Sequence, residues 1–410
     1  MEKRGIGFQA DALLAPAQAL TLYFARANLR APQTEFVSID RALGRTLSQR
    51  AIAEEAHPAA ARSVMDGFAV RSSDTPGRLQ IAGEIRMGRV WAGELELGRA
   101  LAIPTGGVLP AGSDCVVPIE AVRMDDGAIV VGERIPRGDC IAPAGSDMRA
   151  GEVLLEPGRR IGGAELAVLA TLGLSRVPVF RRPVIAVFSS GDELVDVQST
   201  PGPGQIRDSN RWAVAGLLET LGAAVRHLPT APDEPGALES LLREGLATCD
   251  GVVLTGGSSV GERDLTPQIV DRAGTPGVIV HGLRVKPGKP TVLAAIDGKP
   301  LIGLPGNPAS AAMILDAVAS PIVCALTGST PRRQTSEAVL AQPYRKRPGW
   351  TWYVPVRLDE AEATPKAYPL ELRSSSASLL ARASGFLTLD EPIEEVSAGT
   401  IVRIERFLGS

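Results

Sequence analysis

The chain has 410 residues, 44% of them apolar, and a formal charge of −3, which is enough length and apolar content for two to four domains with sizeable cores. Both charge signs are spread along it without a basic block, and aromatics make up only 4%, so nucleic acid is not an expected partner. The cysteines, Cys115, Cys140, Cys249 and Cys324, form no CxxC pair, and the histidines, His57, His227 and His281, lie far apart, so a zinc knuckle, a dithiol redox site, a histidine metal site and a Ser-His-Asp triad are all poorly supported.

Lys3 and Arg4 have no apolar core behind them, which argues against a secretory signal. The apolar run 164–174 is too short to cross a bilayer and contains Glu165, and Asp316 interrupts the run 309–326. A soluble, cytoplasmic protein without a membrane partner, with reduced and buried thiols, is expected.

Residues 9–50 read mainly as helix: Asp11 is a candidate cap for a segment carrying Leu13, Leu14 and Ala17, and Ile39, Leu43 and Leu47 recur at helical spacing. From about 53 to 145 glycine and proline become dense and apolar runs short. Leu79 and Ile81, then Leu101 and Ile103, alternate as in half-buried strands, and Asp125-Asp126-Gly127 between 122–124 and 129–131 predicts a hairpin. Helical patterning returns at 162–174. Arg181-Arg182-Pro183 marks the next boundary.

Residues 183–327 then alternate strand and helix: strand 184–188, helix 210–221, strand 224–228, helix 236–247, strand 251–255, with further strand-like runs at 278–285 and 301–304. This βαβαβ order predicts a mostly parallel sheet covered by helices. Asn307 is placed to cap a helix with Pro308 at its first position. After a polar linker at 328–335, the segments 352–358, 386–389 and 401–404 read as strands of a small β domain. The chain therefore divides into a discontinuous helical linking domain (7–52 and 146–180), an inserted β-rich domain (53–145), a central α/β/α domain (181–328) and a C-terminal β domain (329–410).

Four loops sit at predicted strand ends: Ser189-Ser190-Gly191-Asp192-Glu193, Thr255-Gly256-Gly257-Ser258-Ser259 running on to Asp264, Lys286-Pro287-Gly288-Lys289, and Pro305-Gly306-Asn307-Pro308. Open α/β sheets bind ligands beyond such ends, and glycine lets backbone N–H groups approach an oxyanion. Each loop also has a plainer reading. The Gly256-Gly257 loop is a phosphate cradle or a tight turn, and Asp264 is a Mg²⁺ ligand or a helix cap. The lysines serve an anion or form a solvated turn, and Asp192 and Glu193 bind ligand or simply complement a helix dipole. GxxxxGK[ST] is absent from the sequence, which argues against an ordinary P-loop NTPase. Asp66, in Ser63-Val64-Met65-Asp66-Gly67, and Asp147, beside Arg149, read singly as a turn aspartate and a surface ion-pair member.

Taken together, the segments SVMDGFAV (63–70), IPTGGVLPAGSDCVVPIE (103–120), GSDMRAGE (145–152), SSGDEL (189–194), GQIRDSN (204–210), TGGSSVGERD (255–264), VKPGKP (285–290) and GLPGNPAS (303–310) resemble the molybdopterin molybdenumtransferase family, which includes the E domain of gephyrin. The resemblance implies an elongated homodimer that inserts molybdate into the dithiolene of adenylylated molybdopterin, releasing AMP, with Mg²⁺ as the assisting cation. It makes the central domain the pterin-binding one. It gives Asp66, Asp147, Glu193, Asp264, Lys286 and Lys289 as catalytic positions, Glu193 and Asp264 among them as metal ligands. Ser190, Gly191, Asp192, Thr255, Gly256, Gly257, Ser258, Ser259, Pro305, Gly306, Asn307 and Ser374 are then substrate-binding. It also implies that Asp66 completes a site in trans, and contact with molybdopterin adenylyltransferase and molybdoenzyme maturation proteins. Ser190 stands where the family usually has Thr, and Arg373 precedes Ser374 where a Gly-Ser pair is common. Adenylyl transfer on a related α/β domain and a peptide-binding scaffold are the competing readings; the segments around Asp66 and Asp147 argue against the first, and the full set of charged positions against the second.

Overall fold

The computed structural model describes residues 13–256, 266–330, 333–361, 363–371 and 377–408. They form two compact units: one comprises Met1–Ser48, Pro157–Gly162 and Arg176–Ser410, the other Gln49–Glu156 and Gly163–Ser175.

The second unit is built on a six-stranded sheet in the order Cys115–Pro118, Gly67–Val70, Arg99–Ile103, Gly77–Glu84, Ala128–Val131, Val122–Asp125. Alternation along its strands separates two cores. Phe68, Val70, Leu79, Val117 and Ile129 face one side, and Ala69, Leu101, Ile103 and Val116 the other. The expected hairpin is present, with Val122–Asp125 antiparallel to Ala128–Val131. Its two-residue loop takes positive φ at both Asp126 (+41°) and Gly127 (+73°), the twist a tight hairpin demands. The helix Gly163–Thr171 also belongs to this unit and buries Leu169.

In the first unit, the helix Pro16–Arg26 starts with Pro at its first turn and buries Ala19 and Tyr23. Asp11, its expected cap, lies outside the described residues. The helical reading of the rest of 9–50 is not realised. Thr34–Ser38 is a strand, antiparallel to Arg176–Phe180, and only the short 3₁₀ turn Ile39–Arg41 follows. Pro32 stops helix propagation, Thr34, Phe36 and Val37 favour extended backbone, and a complementary strand is available far along the chain. Leu43 is exposed while Leu47 is buried, so the apparent helical stripe is not one face.

The centre of this unit is a six-stranded sheet ordered Ala224–His227, Val184–Ser189, Gly251–Thr255, Lys299–Leu304, Val292–Ile296, Pro276–His281. The first four are parallel neighbours; the last two pair antiparallel. Ile185, Val187, Val253 and Ile302 point to one side, where the helices Asn210–Thr220 and Pro308–Ile314 pack. Ala186, Phe188, Val252 and Leu254 point to the other, against Leu238 and Leu242 of Pro235–Thr248. The fold is thus the expected α/β multidomain type.

The run expected as one strand at 278–285 is two. Pro276–His281 stays in this sheet, Gly282 turns the chain at φ +86°, and Val285–Lys286 joins a different sheet. That second sheet is the C-terminal one, ordered Val285–Lys286, Thr351–Asp359, Lys366–Pro369, Thr335–Leu340, Ile401–Arg406, Gly385–Leu389; Thr351–Asp359 also pairs with Gly385–Leu389 and so closes it into a small barrel. Val354, Val356, Leu387 and Ile404 fill it.

Pro308–Thr327 is a continuous helical run with a π turn at Leu315–Ala319. By length and composition it could cross a membrane, but 83% of its apolar 18-residue stretch is buried inside the protein, which assigns it to the core. Among the described residues no other helix is that long and apolar.

Candidate functional site

Three parallel strands end in register, with Ser189 opposite Thr255 and Thr255 opposite Leu304. The loops that follow therefore emerge side by side. The chain runs from Val184–Ser189 outward to Ala224–His227 on one side and then to Gly251–Thr255 on the other. That makes the gap above Val184–Ser189 and Gly251–Thr255 the switch point at which open sheets bind ligands.

Direct bonds tie the loops together. Ser190 N donates to Thr255 O (2.9 Å) and Gly256 N to Leu304 O (3.3 Å). Gly256 takes φ +81°, and a Cβ there would lie 2.2 Å from Ser190 O; one on Gly306 would meet Gly256 Cα at 3.5 Å. Only glycine fits at 256, for both backbone angle and space. The Asn307 side chain caps the following helix by accepting from Ser310 N at 3.3 Å, with Pro308 in its first turn. These contacts gather Ser190, Gly191, Asp192, Glu193, Thr255, Gly256, Pro305, Gly306 and Asn307 at one end of the sheet. The expected positions Gly257, Ser258, Ser259, Asp264 and Ser374 lie outside the described residues.

The structure adds residues that the sequence reading did not select. Asp233 accepts from Ser190 Oγ at 2.8 Å, and its own N–H donates to Asp192 Oδ1 at 3.0 Å, so its carboxylate joins the first loop. In sequence it reads only as part of a polar turn before a helix. Beneath the loops, Asp208 is fully buried. It accepts from Ser189 Oγ at 2.9 Å, and Ser189 Oγ also meets Thr255 Oγ1 at 2.9 Å. Asn210 Nδ2 donates to Gly306 O at 2.7 Å. Asp208 and Asn210 close the GQIRDSN segment, which was the available signal for them.

Lys286 and Lys289 sit on the connection between Pro276–His281 and Val292–Ile296. Pro276–His281 runs in the same direction as the parallel strands, so this connection emerges at the same edge of the sheet. Gly288 has φ +106°, and a Cβ there would lie 2.1 Å from Ile314 Cγ1, which seats the loop on the Pro308–Ile314 helix. Lys286 is exposed and Lys289 half-buried.

Asp66 and Asp147 belong to the other unit. Asp66 stands exposed in its turn, where its Oδ1 accepts from Thr105 N at 2.6 Å and Thr105 Oγ1 at 2.9 Å. Those bonds, the backbone one first, hold its carboxyl below the usual carboxylate range. A carboxylate depressed in the folded state adds stability that is complete above its unfolded value, about 3.9, and lost as pH falls through the folded value. Asp66→Asn should therefore cost this unit a constant amount of stability above about pH 5 and progressively less below about pH 4. Denaturant melts across that range check it; a pH-independent difference would contradict the assignment. Asp147 is exposed, its N–H donating to His57 O at 3.1 Å.

Among the described residues no group of three or more His, Cys, Asp or Glu forms a metal cluster. The donors near the switch point, the Asp192, Glu193 and Asp233 carboxylates and the Ser190 hydroxyl, are all oxygens. That set fits Mg²⁺, which takes one or two carboxylates and completes its shell with water and substrate phosphate. The histidines are exposed; Cys115, Cys249 and Cys324 are buried and Cys140 partly so, all as free thiols.

Fold and site together define an α/β protein whose glycine, hydroxyl and carboxylate loops meet at the switch point of its central sheet. The descriptions "MoeA N-terminal region (domain I and II)", "Probable molybdopterin binding domain" and "MoeA C-terminal region (domain IV)" match residues 14–173, 186–325 and 337–407. The molybdopterin molybdenumtransferase of Bacillus subtilis (strain 168) is 33% identical over 91% of this chain and 89% of its own length. That of Haemophilus influenzae is 31% identical over 92% and 94%. The crystal structure of a molybdopterin biosynthesis moea protein from Pyrococcus horikosii superposes with a TM-score of 0.80 at 29% identity, covering 97% of this chain and 100% of that one. The chain belongs to the molybdopterin molybdenumtransferase family.

Proposed function

We propose that this protein transfers molybdenum from molybdate to the dithiolene of adenylylated molybdopterin: the two sulfurs displace molybdate oxygen, which leaves as water with the thiol protons, and a water cleaves the phosphoanhydride, releasing AMP and molybdenum cofactor. The observation that carries this reading is the convergence of the glycine loops, with their hydroxyls and carboxylates, at one switch point, with the lysine loop on the same edge of the sheet. Backbone N–H groups of the glycine loops suit the substrate's phosphates, while the Ser190 hydroxyl, whose proton goes to Asp233, offers an oxygen acceptor. Lys286 and Lys289 neutralise the oxyanion, whether phosphoanhydride or tetrahedral molybdate. Asp66 and Asp147 are assigned to catalysis, with Asp66 ionised at neutral pH and so suited to accept rather than donate a proton. Glu193 and Asp264 would hold Mg²⁺, which neutralises phosphate charge when bound.

The proposal includes a cytoplasmic homodimer and the four-domain division at 7–52 with 146–180, 53–145, 181–328 and 329–410. In it, Asp66 of one protomer serves the other protomer's pterin domain. The test is AMP release from purified adenylylated molybdopterin. Release should require molybdate, fall on chelation and return with Mg²⁺. Asp66→Ala and Lys289→Ala chains, each inactive alone, should recover activity as a mixed dimer. Tight pterin binding without release would refute the insertase reading, and verified heterodimers without recovery would refute the site in trans.

A further inference from the structure

The lysine loop is anchored in the C-terminal barrel. Val285–Lys286 lies parallel to Thr351–Asp359 with Lys286 directly beside Trp352, and the Lys286 ammonium stands 4.0 Å from the centroid of the Trp352 ring. Trp350 flanks Lys289 in the same way at 5.9 Å. Indole is the aromatic face that holds a cation best.

The indoles are themselves fixed. Tyr344 packs edge-on to Trp352, with ring centroids 6.2 Å apart. The Lys346 ammonium donates to Trp350 O at 2.8 Å and Glu391 O at 3.2 Å, and Glu391 pairs with Arg284 at 2.8 Å. Thr351 N donates to Arg284 O at 3.1 Å. Both indoles are half-buried beside an exposed Lys286. A lysine stem in water samples many rotamers and loses that freedom when it meets an anion. A stem already ordered over a ring loses less, and the ring keeps water from one side of the charge; both raise affinity for an oxyanion.

We propose that Trp352 is a positioning residue that pre-orders the Lys286 ammonium for a tetrahedral oxyanion, molybdate in the reaction above. The proposal rests on the reading of Lys286 as an oxyanion-binding residue. It predicts that Trp352→Leu raises the molybdate KM roughly three- to tenfold with little change in kcat, and that Trp352→Phe recovers part of the loss. In a Lys286→Met background, Trp352→Leu should add nothing, since the ring acts through the lysine.

The experiment measures KM and kcat for molybdate in AMP release, with calorimetric binding of inorganic molybdate to the full chain as a readout independent of turnover. Thermal unfolding of each variant identifies any that fold poorly, in which case Trp352→Phe and Trp352→Tyr decide. A folded Trp352→Leu chain with wild-type affinity overturns the proposal, as does a full Trp352 effect without the lysine. If Lys286→Met alone leaves molybdate affinity unchanged, the oxyanion role of Lys286 falls and the proposal with it. That outcome differs from a wild-type chain that binds molybdate but makes no cofactor, which overturns the insertase reading instead.

Discussion

Gly256→Ala is expected to cut kcat/KM by a hundredfold or more and to cost about 2–4 kcal/mol of stability. The residue adopts φ +81°, and the new Cβ would sit 2.2 Å from Ser190 O, a backbone atom in the adjoining loop. A side chain at fault can rotate away; the carbonyl of a residue tied to Thr255 and bridged to Ala231 cannot. Relief requires the two loops to part by about an ångström, and displacement on that scale is what catalytic geometry tolerates least. Gly399→Ala provides the control. It shares the angle, φ +83°, but has open space around it, so it should show only the backbone strain, about 1 kcal/mol, with activity kept. Equal effects of the two changes on kcat/KM would show that the contact with Ser190 is immaterial.

The largest effect on stability alone is expected at Asp316. Its carboxylate is buried in the π turn, is paired with the Arg333 guanidinium, and accepts from Leu408 N at 2.9 Å. Arg333 also donates to Asp316 O at 2.7 Å and pairs with Glu405 at 3.2 Å. Burial holds the Asp316 carboxyl above the usual carboxylate range, a rise that Arg333 offsets only in part. Asp316→Ala leaves a mostly buried guanidinium and a backbone N–H short of partners, at an expected cost of about 3–5 kcal/mol. Asp316→Leu combined with Arg333→Met should recover part of it, because the buried pair is removed as a whole and the Glu405 carboxylate left behind is partly exposed and keeps Thr388 as a donor. Urea unfolding of the single and double variants measures both. A double variant as unstable as Asp316→Ala would mean that the pair is worth more than its desolvation.

The sequence made the central sheet legible because its strands are continuous apolar runs and its ligand loops are contiguous glycine motifs. Local spacing put Ser190, Gly256 and Gly306 in loops at strand ends, with a plainer reading open for each, and the structure brings those loops together. Asp233 could not, because what defines it is a bond to Ser190 that no periodicity announces. Asp208 stood inside a quoted motif, yet its burial under Ser189 and Thr255 is a property of three separated strand ends and turns. Residues 34–38 were misread for the same reason: their strand exists by virtue of 176–180. Asp316 looked like an interruption in an apolar run, whereas Arg333 and Leu408, from later segments, make it a fixture of the core.

The short strand Val285–Lys286 bears on how separable the parts of this molecule are. The connection that carries the lysines leaves the central sheet at His281, is seated on the core helix at Gly288, and is laced to the barrel at Thr351 and Trp352. The edge of the sheet that carries the glycine loops and the C-terminal module therefore share one piece of chain, although sequence motifs assign it wholly to the former. Excising the barrel would not remove an accessory; it would unmoor the loop of Lys286 and Lys289. The C-terminal module is thus a structural partner of the central sheet, and sequence change in either constrains the other through ten residues of common backbone, 282–291.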